Sequence, residues 1–504
     1  MEQNAALKEK QSVVDPVEDF LTSDAVKIFD GTNWRNAKEG ATFDVVAPGS
    51  GKRIAKVASA QPEDVDHAVR QSQRAFSEGE WARMAASDRA VVLHRLADLI
   101  DANLDVLAEI ECLDVGKPLS NARALDIPMA AQTFRYYADL AVHTRTRDPI
   151  GVTKMAASRV RHPAGVCAFI IPWNFPFLLA AWGAAPALAA GNTVILKPAE
   201  DTPLSTLYLA KLAQRAGVPS GVFQVLPGLG EIAGAALAGH PGIKRMGFTG
   251  SPEVGRLVAE ACGRNLVPVK LELGGKGAAV VFEDTDVESV ANSLVQAITL
   301  NAGQVCCTAS RWLVHEKIWD KFVDAANGAM ERVKIGHGLK EDTEMGPVVS
   351  KKQVNRVLGY LSKAEGEGAR ALRKGGQAKV TGFEGGFYLQ PALLTGKPNN
   401  IAAREEIFGP VAYAMPFKDE TEAVTMVNES PYGLANSVWT NDLGRAQRVA
   451  ESMVAGNSWI NAHNVLALGI PYGGVNQSGY GGGVLGPDTL FDYYRMQSVV
   501  RPLA

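Results

Sequence analysis

The sequence has few cysteines and lacks an apolar run long enough to cross a bilayer. Its five cysteines, at positions 112, 167, 262, 306 and 307, are odd in number and do not have the spacing of a metal site. Such usage is typical of a reducing compartment rather than of a disulfide framework. The most apolar stretch, residues 170–190, is interrupted by three prolines, whereas a membrane helix needs about 20 apolar residues. We therefore expect a cytoplasmic protein with no metal and no membrane segment.

An excess of charge of one sign is also missing. The chain has 51 basic and 54 acidic residues, for a net charge of −3, which disfavours a nucleic-acid surface. The charged N-terminal residues 1–10 lack the apolar core of a secretory signal, and we expect residues 1 to about 25 to form a loosely held arm. A length of 504 residues predicts two or three domains.

Strand and helix patterns alternate from residue 166 onward. After helices predicted at residues 62–77, 87–111 and 128–142, strands are predicted at 166–171, 193–196, 223–226 and 243–248 with helices between them. Repeated units of this kind form a parallel sheet with right-handed crossovers, which binds ligands at the carboxyl ends of its strands. A second α/β set begins near residue 278, residues 145–161 are predicted to be extended, and residues 462–486 to be a glycine-rich loop.

A thiol and a carboxylate are the candidate catalytic groups. Cys306 lies on a predicted connection between a helix and a strand, where a reactive side chain is accessible. Glu272 is separated by Leu273 alone from the Gly274-Gly275 turn. A thiol that attacks and a carboxylate that activates water suffice for a two-step covalent reaction. The alternatives are a buried packing cysteine, a reactive Cys307 instead, and a solvated strand glutamate.

Polar residues at the predicted strand ends are candidate binding groups. Asn174 could donate to an oxyanion or cap a helix. Lys197 and Glu200 could bracket ribose hydroxyls or form an ion pair. Gly250 and Ser251 open a helix, which is an anion site in principle. The glycines at 228, 230 and 234 miss the spacing of the dinucleotide fingerprint.

Taken together, these residues resemble the NAD(P)-dependent aldehyde dehydrogenase superfamily. The motifs run in register from about residue 40 to 500: P-W-N-F-P at 172–176, L-K-P-A-E-D-T-P at 196–203, F-T-G-S-P-E-V-G at 248–255, L-E-L-G-G-K at 271–276, G-Q-V-C at 303–306, E-E-I-F-G-P-V at 405–411 and the stretch 471–481. The order of these motifs, with Glu272 and Cys306 in the two most specific ones, makes a chance match negligible.

The resemblance implies oxidation of an aldehyde to a carboxylic acid. Cys306 would attack the carbonyl carbon, Asn174 and the Cys306 amide would hold the oxyanion, and Glu272 would activate the water that hydrolyses the thioester. The positions that match cofactor contacts are Ile171, Trp173, Lys197, Glu200, Gly230, Gly234, Gly250, Ser251, Leu273, Glu406 and Phe408. Because Glu200 would repel a 2′-phosphate, NAD is favoured, with NADP possible.

The resemblance also implies an α/β fold of two Rossmann-like parallel-sheet domains plus a β-strand oligomerisation arm. Residues 1–144 and 164–275 would form the dinucleotide-binding domain and 276–475 the catalytic domain. Residues 145–163 and 484–504 would form bridging segments, which family members use to pair as homodimers or homotetramers.

Two departures from the family pattern concern the substrate. Phe175, Trp182 and Tyr472 match three aromatic funnel positions, but the fourth is Leu466. In addition, Gly482 and Gly483 replace an Arg-Glu pair at the rim. The aromatic residues would suit a quaternary ammonium, as in betaine aldehyde or an aminoaldehyde, or equally an aliphatic or aromatic aldehyde.

Three other functions compete with this interpretation. A coenzyme-A-acylating semialdehyde dehydrogenase would generally lack Glu272. A cofactor-independent thiol esterase would need a partner histidine, and His315 and His463 lie in no recognisable dyad pattern. A non-enzymatic protein would not need Cys306, Glu272 and Asn174 together.

Overall fold

The computed structural model describes residues 25–503, so the predicted N-terminal arm lies almost wholly outside the described residues. Within them, an eight-stranded sheet, the first sheet, has the strand order Trp34–Arg35, Ile28–Phe29, Phe223–Val225, Thr193–Lys197, Val166–Ile170, Arg245–Thr249, Val269–Glu272 and Gly479–Tyr480. Its five central strands are parallel, and the outer strands at both edges are antiparallel.

The strand order of the first sheet reverses at its centre. From Val166–Ile170 the chain moves outward in one direction, and at Arg245–Thr249 it returns to the other side of the same strand. The two loops that follow these neighbouring strands therefore leave in opposite directions. Such a switch point opens a crevice at the carboxyl ends of the strands, where sheets of this kind bind their ligands.

A second, seven-stranded sheet carries the later α/β units. Its strand order is Arg370–Arg373, Ala392–Thr395, Val411–Phe417, Ala309–His315, Gly277–Val281, Ala435–Trp439 and Asn457–Ile460. All its pairs are parallel except the one at the Arg370–Arg373 edge. Its central strands are buried on both faces, as expected for a parallel sheet covered by helices.

A three-stranded antiparallel sheet, the arm sheet, stands apart from these two. Arg147–Val152 pairs with Met155–Pro163, which pairs in turn with the C-terminal strand Tyr494–Pro502. Most side chains of these strands are exposed. The extended conformation predicted for residues 145–161 is confirmed, and the C-terminal strand completes the same sheet.

The helices cover the sheets, and smaller hairpins complete the fold. Thr42–Ala47 pairs with Lys52–Ala58, and Gly376–Gln377 pairs with Leu389–Gln390. The α-helices are Pro62–Ser77, Ala86–Ala102, Leu104–Val115, Leu119–Asn121, Ile127–His143, Pro176–Ala189, Leu204–Ala216, Ala235–Ala238, Pro252–Arg264, Val287–Thr299, Trp319–Arg332, Lys351–Gly366, Ile401–Arg404, Glu420–Asn428, Leu443–Ser452 and Asp488–Phe491. Across residues 25–503, no helix combines the length and apolar character that a membrane crossing requires.

The predicted α/β class with parallel sheets is confirmed, but two local predictions are wrong. The single helix predicted at residues 87–111 is two helices, broken at Asn103, whose side chain donates to the Leu99 carbonyl and accepts from the Tyr208 hydroxyl at 3.0 Å. The loop predicted at residues 462–486 contains the strand Gly479–Tyr480, which pairs with Val269–Glu272. Apolar spacing cannot reveal either feature, because both depend on partners far away in the sequence.

We predict that Asn103→Ala lowers the free energy of unfolding by about 1–3 kcal/mol, because it removes two side-chain hydrogen bonds of a buried residue between packed helices. Thermal or chemical unfolding measures the change. Tyr208→Phe, which removes only one of the two bonds, is the matched control and should cost less. Equal stability of Asn103→Ala and the parent would contradict the assignment of the break to this residue.

Candidate active site

The candidate site lies where the loops that follow three central strands of the first sheet meet the loop before Ala309–His315. Asn174 follows Val166–Ile170, Gly250 follows Arg245–Thr249, and Glu272 ends Val269–Glu272. The Gly250 amide donates to the Glu272 carbonyl at 3.0 Å. Cys306 comes from the second α/β set, so the site is formed between the first sheet and the second.

Cys306 follows a strained turn. Asn301 and Ala302 both adopt positive φ angles, of 47° and 53°, in the turn Leu300–Gly303. Left-handed conformations cost non-glycine residues of order 1–3 kcal/mol each and persist only where the surrounding structure enforces them. The half-buried Cys306 Sγ lies 3.3 Å from the Tyr472 hydroxyl oxygen. A hydrogen bond with Cys307 and burial raise the pKa of the Cys306 thiol well above its usual range.

Cys307 is held differently from its neighbour. It is 2% exposed, and its thiol donates to Asn464 Oδ1 at 3.4 Å. His463 Nε2 lies 2.8 Å from the Cys307 carbonyl oxygen, while its Nδ1 lies 2.9 Å from Ser437 Oγ. Accessibility therefore favours Cys306 as the thiol that meets a ligand.

Glu272 is a buried carboxylate, not the solvated strand residue that was one alternative. It is 8% exposed, and neither carboxylate oxygen has a hydrogen-bond partner among the described residues. Burial raises the pKa of Glu272 well above the usual carboxyl range, Lys270 opposes this effect, and Cys306 reinforces it. An unpartnered buried carboxyl at the end of a strand is costly to maintain, which points to a functional role.

One cavity of about 50 Å³ joins Cys306 and Glu272. This volume is sufficient for a water molecule, whose share of the liquid is about 30 Å³. The cavity walls include further residues that the sequence singled out, namely Ile171, Trp182, Leu273 and Tyr472. The thiol, the carboxylate and the apolar walls are therefore one continuous site.

Asn174 links the two halves of the site. Its side-chain amide nitrogen donates to the Gln304 backbone carbonyl at 3.0 Å. Its backbone carbonyl accepts from the Asn301 side chain at 2.9 Å. The buried Asn174 does not cap the following helix, whose N-cap position has no side-chain hydrogen bond. One amide proton of Asn174 is left for a further acceptor, since the amide carries two.

Several candidate cofactor residues lie at or after the carboxyl ends of the strands Thr193–Lys197, Phe223–Val225 and Arg245–Thr249. Lys197 Nζ lies 3.1 Å from Glu200 Oε2, so the predicted ion pair exists, and the Glu200 side chain is 38% exposed. No heavy atom lies within 4 Å of the position that a Cβ would occupy at Gly230, and at Gly234 the nearest atoms are 3.8 Å away or more. The Ser251 hydroxyl accepts from the Val254 amide and caps its helix.

Further cofactor candidates lie on the loops after the strand Val166–Ile170 and before the strand Val411–Phe417. Trp173 and Phe408 are in edge-to-face contact, with ring centroids 5.2 Å apart. Glu406 Oε1 accepts from the Gly275 amide at 2.8 Å, and burial raises the pKa of Glu406 to about 7. Trp173 and Phe408 therefore bring together the loop after the strand Val166–Ile170 and the loop before the strand Val411–Phe417.

The four candidate substrate residues pack against one apolar core. Trp182 and Tyr472 are in edge-to-face contact at 5.8 Å, and the buried Trp182 Nε1 has no acceptor among the described residues. The face of the Phe175 ring is occupied from inside the protein by the Lys117 ammonium, 4.4 Å from the ring centroid. Leu466 is partly buried beside them.

Sequence reasoning missed several groups around the site. Lys270 and Tyr493 line the cavity, and Lys117 forms ion pairs with Glu111 at 2.9 Å and Asp126 at 2.5 Å. The alternation of residues 267–273 already predicts that Lys270 shares a face with Glu272, but it assigns Lys270 no role in the site. The partners of Lys117 could not have been found, since nothing in their spacing connects them with residue 175.

The chain is similar to known proteins over most of its length. The model of the aldehyde dehydrogenase family matches residues 34–499. Retinal dehydrogenase 2 of Homo sapiens is 42% identical over 479 residues, 94% of this chain and 91% of the relative. Phenylacetaldehyde dehydrogenase of Pseudomonas fluorescens is 41% identical over 460 residues, 90% of this chain and 91% of the relative.

A solved structure agrees over a similar length. Betaine aldehyde dehydrogenase of Staphylococcus aureus in complex with NAD+ superposes with a TM-score of 0.94 at 33% identity, covering 97% of both chains. The chain therefore belongs to the aldehyde dehydrogenase family, and the predicted resemblance and fold are confirmed.

We predict that iodoacetamide alkylates Cys306 first among the five cysteines, because the other four are buried. The rate should rise as the pH is increased above neutral, since the raised pKa keeps Cys306 as the unreactive thiol at lower pH. Peptide mass spectrometry against time and pH measures both effects. Faster labelling of Cys307 would identify it as the accessible thiol and contradict this assignment.

Proposed function

We propose that this protein oxidises an aldehyde to a carboxylic acid with NAD, through a thioester on Cys306 that water hydrolyses. The observation that carries the proposal is the cavity that joins a half-buried thiol to an unpartnered carboxylate. These are the two groups that acylation and deacylation require.

In the first half of the reaction, the Cys306 thiol loses its proton to water, and the sulfur bonds to the aldehyde carbon as the carbonyl π bond opens. Negative charge develops on the carbonyl oxygen, and the remaining amide proton of Asn174 and the Cys306 backbone N–H are proposed to donate to it. The bond from the Asn174 side chain to the Gln304 carbonyl fixes the direction of that amide, and the bond from Asn301 holds the Asn174 backbone carbonyl. NAD, when bound, supplies the acceptor for the hydride that leaves the aldehyde carbon.

In the second half, Glu272 takes a proton from water while the water oxygen bonds to the acyl carbon. The carbon–sulfur bond breaks, and Cys306 leaves as thiolate. Glu272 must be ionised for this step, and burial raises its pKa well above the usual carboxyl range. Hydrolysis therefore speeds up as the pH rises through the raised pKa of Glu272.

The residues around the switch point fit a dinucleotide. The space beside Gly230 is open, and the partly exposed Glu200 carboxylate can accept from ribose hydroxyls. The residues proposed to hold NAD are Ile171, Trp173, Lys197, Glu200, Gly230, Gly234, Gly250, Ser251, Leu273, Glu406 and Phe408. Glu200 would repel a 2′-phosphate, so we favour NAD over NADP.

The structure gives no support to a cofactor-independent hydrolase. His463 contacts the Cys307 carbonyl rather than the Cys306 thiol, and burial lowers the pKa of His463 to about 4. His315 lies 3.7 Å from Glu283 and on the strand Ala309–His315. Within residues 25–503, the Cys306 thiol therefore has Tyr472 and Cys307 as hydrogen-bond partners, and no histidine that could act as its base is among them.

We propose only that the substrate is an aldehyde whose remaining part is apolar or can be bound by aromatic side chains. Three relatives are named for retinal, phenylacetaldehyde and betaine aldehyde, so family membership leaves the aldehyde open. Phe175, Trp182, Leu466 and Tyr472 are proposed to line its path. All five cysteines are free, and on that chemistry we infer a reducing compartment such as the cytoplasm.

We also infer that the arm sheet joins subunits into a homodimer or homotetramer. Its strands expose apolar side chains, among them Ile150, Val152, Met496 and Val500. Exposed apolar residues on a sheet with two free edges favour pairing with another chain. The domain division expected from the sequence stays a proposal: within the described residues, 145–163 and 484–503 are the proposed bridging segments, 25–144 and 164–275 the proposed dinucleotide-binding domain, and 276–475 the proposed catalytic domain.

We predict that Cys306→Ala abolishes NADH formation, whereas Glu272→Gln keeps a single burst of NADH and loses turnover. The first change removes the nucleophile, and the second removes only the base for hydrolysis. Stopped-flow absorbance of NADH with a panel of aldehydes, and with NAD and NADP in parallel, measures both steps. Cys307→Ala is the matched control and should retain turnover.

Two outcomes would contradict the proposal. NADH formation by Cys306→Ala would exclude the thiol mechanism. Turnover of the parent that requires coenzyme A would show that the acyl group leaves to a thiol rather than to water activated by Glu272.

We predict that Ile150→Asp combined with Val152→Asp shifts the assembly towards monomers, because charges on the exposed arm oppose burial in an interface. Light scattering coupled to size-exclusion chromatography measures the mass. Leu443→Asp, at an exposed position on the helix Leu443–Ser452, is the control and should leave the mass unchanged. An unchanged mass for the arm variant would remove the arm from the interface.

A further inference from the structure

Lys270 is a charged residue in the active-site cavity with no part in the reaction described so far. It precedes Glu272 by two positions on the strand Val269–Glu272, so both side chains point to the same face, with about 7 Å between their positions along the strand. Both line the cavity that contains Cys306. A cation therefore stands in the same enclosed space as the carboxylate that must ionise.

The ammonium of Lys270 is fixed on its far side. Its side chain is 5% exposed, and Nζ lies 2.6 Å from Asp492 Oδ2 and donates to the Gly483 carbonyl. Asp492 is 31% exposed and also lies 3.4 Å from Arg245. Burial lowers the pKa of Lys270, and the Asp492 carboxylate opposes this effect. With Arg245 the group comprises two cations and one carboxylate, so Asp492 does not neutralise both cations.

The backbone at Gly483, which accepts a hydrogen bond from Lys270, packs against Gly473, and Gly473 packs against Glu272. A Cβ at Gly473 would lie 3.2 Å from Glu272 Oε1 and 2.7 Å from the Gly483 Cα. A Cβ at Gly483 would lie 2.5 Å from the Tyr472 carbonyl oxygen. The absence of side chains at these two positions lets the Gly483 carbonyl approach the cavity and hold the lysine there.

The other ionisable groups that face Glu272 oppose its charge. Cys306 raises the pKa of Glu272, and Glu272 in turn raises the pKa of Tyr472, whereas Lys270 lowers the pKa of Glu272. Burial acts in the same direction as Cys306. Among the groups acting on Glu272 in the described part of the chain, Lys270 is thus the one that favours the carboxylate.

We propose that Lys270, clamped by Asp492 and the Gly483 carbonyl, is the positioning residue that favours the ionised form of Glu272 for hydrolysis of the thioester. This inference rests on the proposed function. Glu272 takes a proton from water, the water oxygen bonds to the acyl carbon, and the carbon–sulfur electron pair returns to Cys306. Lys270 touches none of the reacting atoms and acts only through the charge state of Glu272.

The test measures hydrolysis alone and without NAD. The protein is acylated with p-nitrophenyl acetate, and loss of the acetyl group from Cys306 is followed by intact-protein mass spectrometry across a range of pH. Lys270→Met and Lys270→Gln remove the charge, the latter retaining a donor for the Gly483 carbonyl, and Lys270→Arg keeps the charge. Lys379→Met, at an exposed position of the second α/β set, is the matched control.

We expect the acidic limb of the hydrolysis profile to move to higher pH by about one unit in the Met and Gln variants, because loss of a nearby opposite charge disfavours the carboxylate. Below that limb, hydrolysis is then about tenfold slower. Lys379→Met should keep the parent profile, and Lys270→Arg, which retains the charge, should keep the limb at the parent pH. Thermal unfolding checks that each variant is folded. If Lys270→Met does not fold, the position of the limb in Lys270→Gln tests the inference.

Three results would overturn the inference. The limb could stay in place in both neutral variants, it could move to lower pH, or it could shift as far in Lys270→Arg as in Lys270→Met. Failure of the proposed function looks different: the parent then forms no NADH with any aldehyde. If the parent is not acylated at Cys306, the proposed function and the inference fail together.

Discussion

The site depends on one reciprocal amide bridge between the two α/β sets. Asn174 donates to the Gln304 carbonyl, and Asn301 donates to the Asn174 carbonyl. Gln304 in turn accepts from the Val349 amide and donates to the Asn301 carbonyl. Because these groups are buried, breaking one bond would leave unsatisfied polar atoms, at a cost of about 1–3 kcal/mol each. The bridge therefore fixes Cys306 relative to the first sheet.

The strained turn beside this bridge is explained by the same requirement. Asn301 and Ala302 have positive φ angles, and a Cβ at Gly303 would lie 2.2 Å from the Gly409 carbonyl oxygen. The chain must reverse tightly after the helix Val287–Thr299 so that Gln304 reaches Asn174 and the thiol reaches the cavity. The hydrogen bonds of the amide bridge offset the cost of that backbone conformation.

Local patterns in the sequence were sufficient for most of the fold. Apolar periodicity predicted the helix Pro62–Ser77 at its observed bounds, and the parallel strands within one or two residues, because burial on both faces selects apolar runs. It failed at Asn103, where a polar residue interrupts an apolar pattern to contact Tyr208, and at Gly479–Tyr480, which pairs across the sheet. The family motifs placed Cys306 and Glu272 together, but they contained no information on Lys270 and Asp492, which are over two hundred positions apart.

The contacts of the aromatic residues also limit how a cationic aldehyde could be held. A ring attracts a cation through the negative face of its π system, and the Phe175 ring already has the Lys117 ammonium at 4.4 Å. A second cation on the opposite face would be repelled by the first, although Glu111 and Asp126 reduce that repulsion by pairing with Lys117. A quaternary ammonium substrate would therefore have to rely on Trp182 and Tyr472. Because the Tyr472 hydroxyl lies 3.3 Å from Cys306 Sγ, a cation bound on that ring would also stabilise the thiolate, so that substrate binding and activation of the nucleophile would be coupled through one side chain.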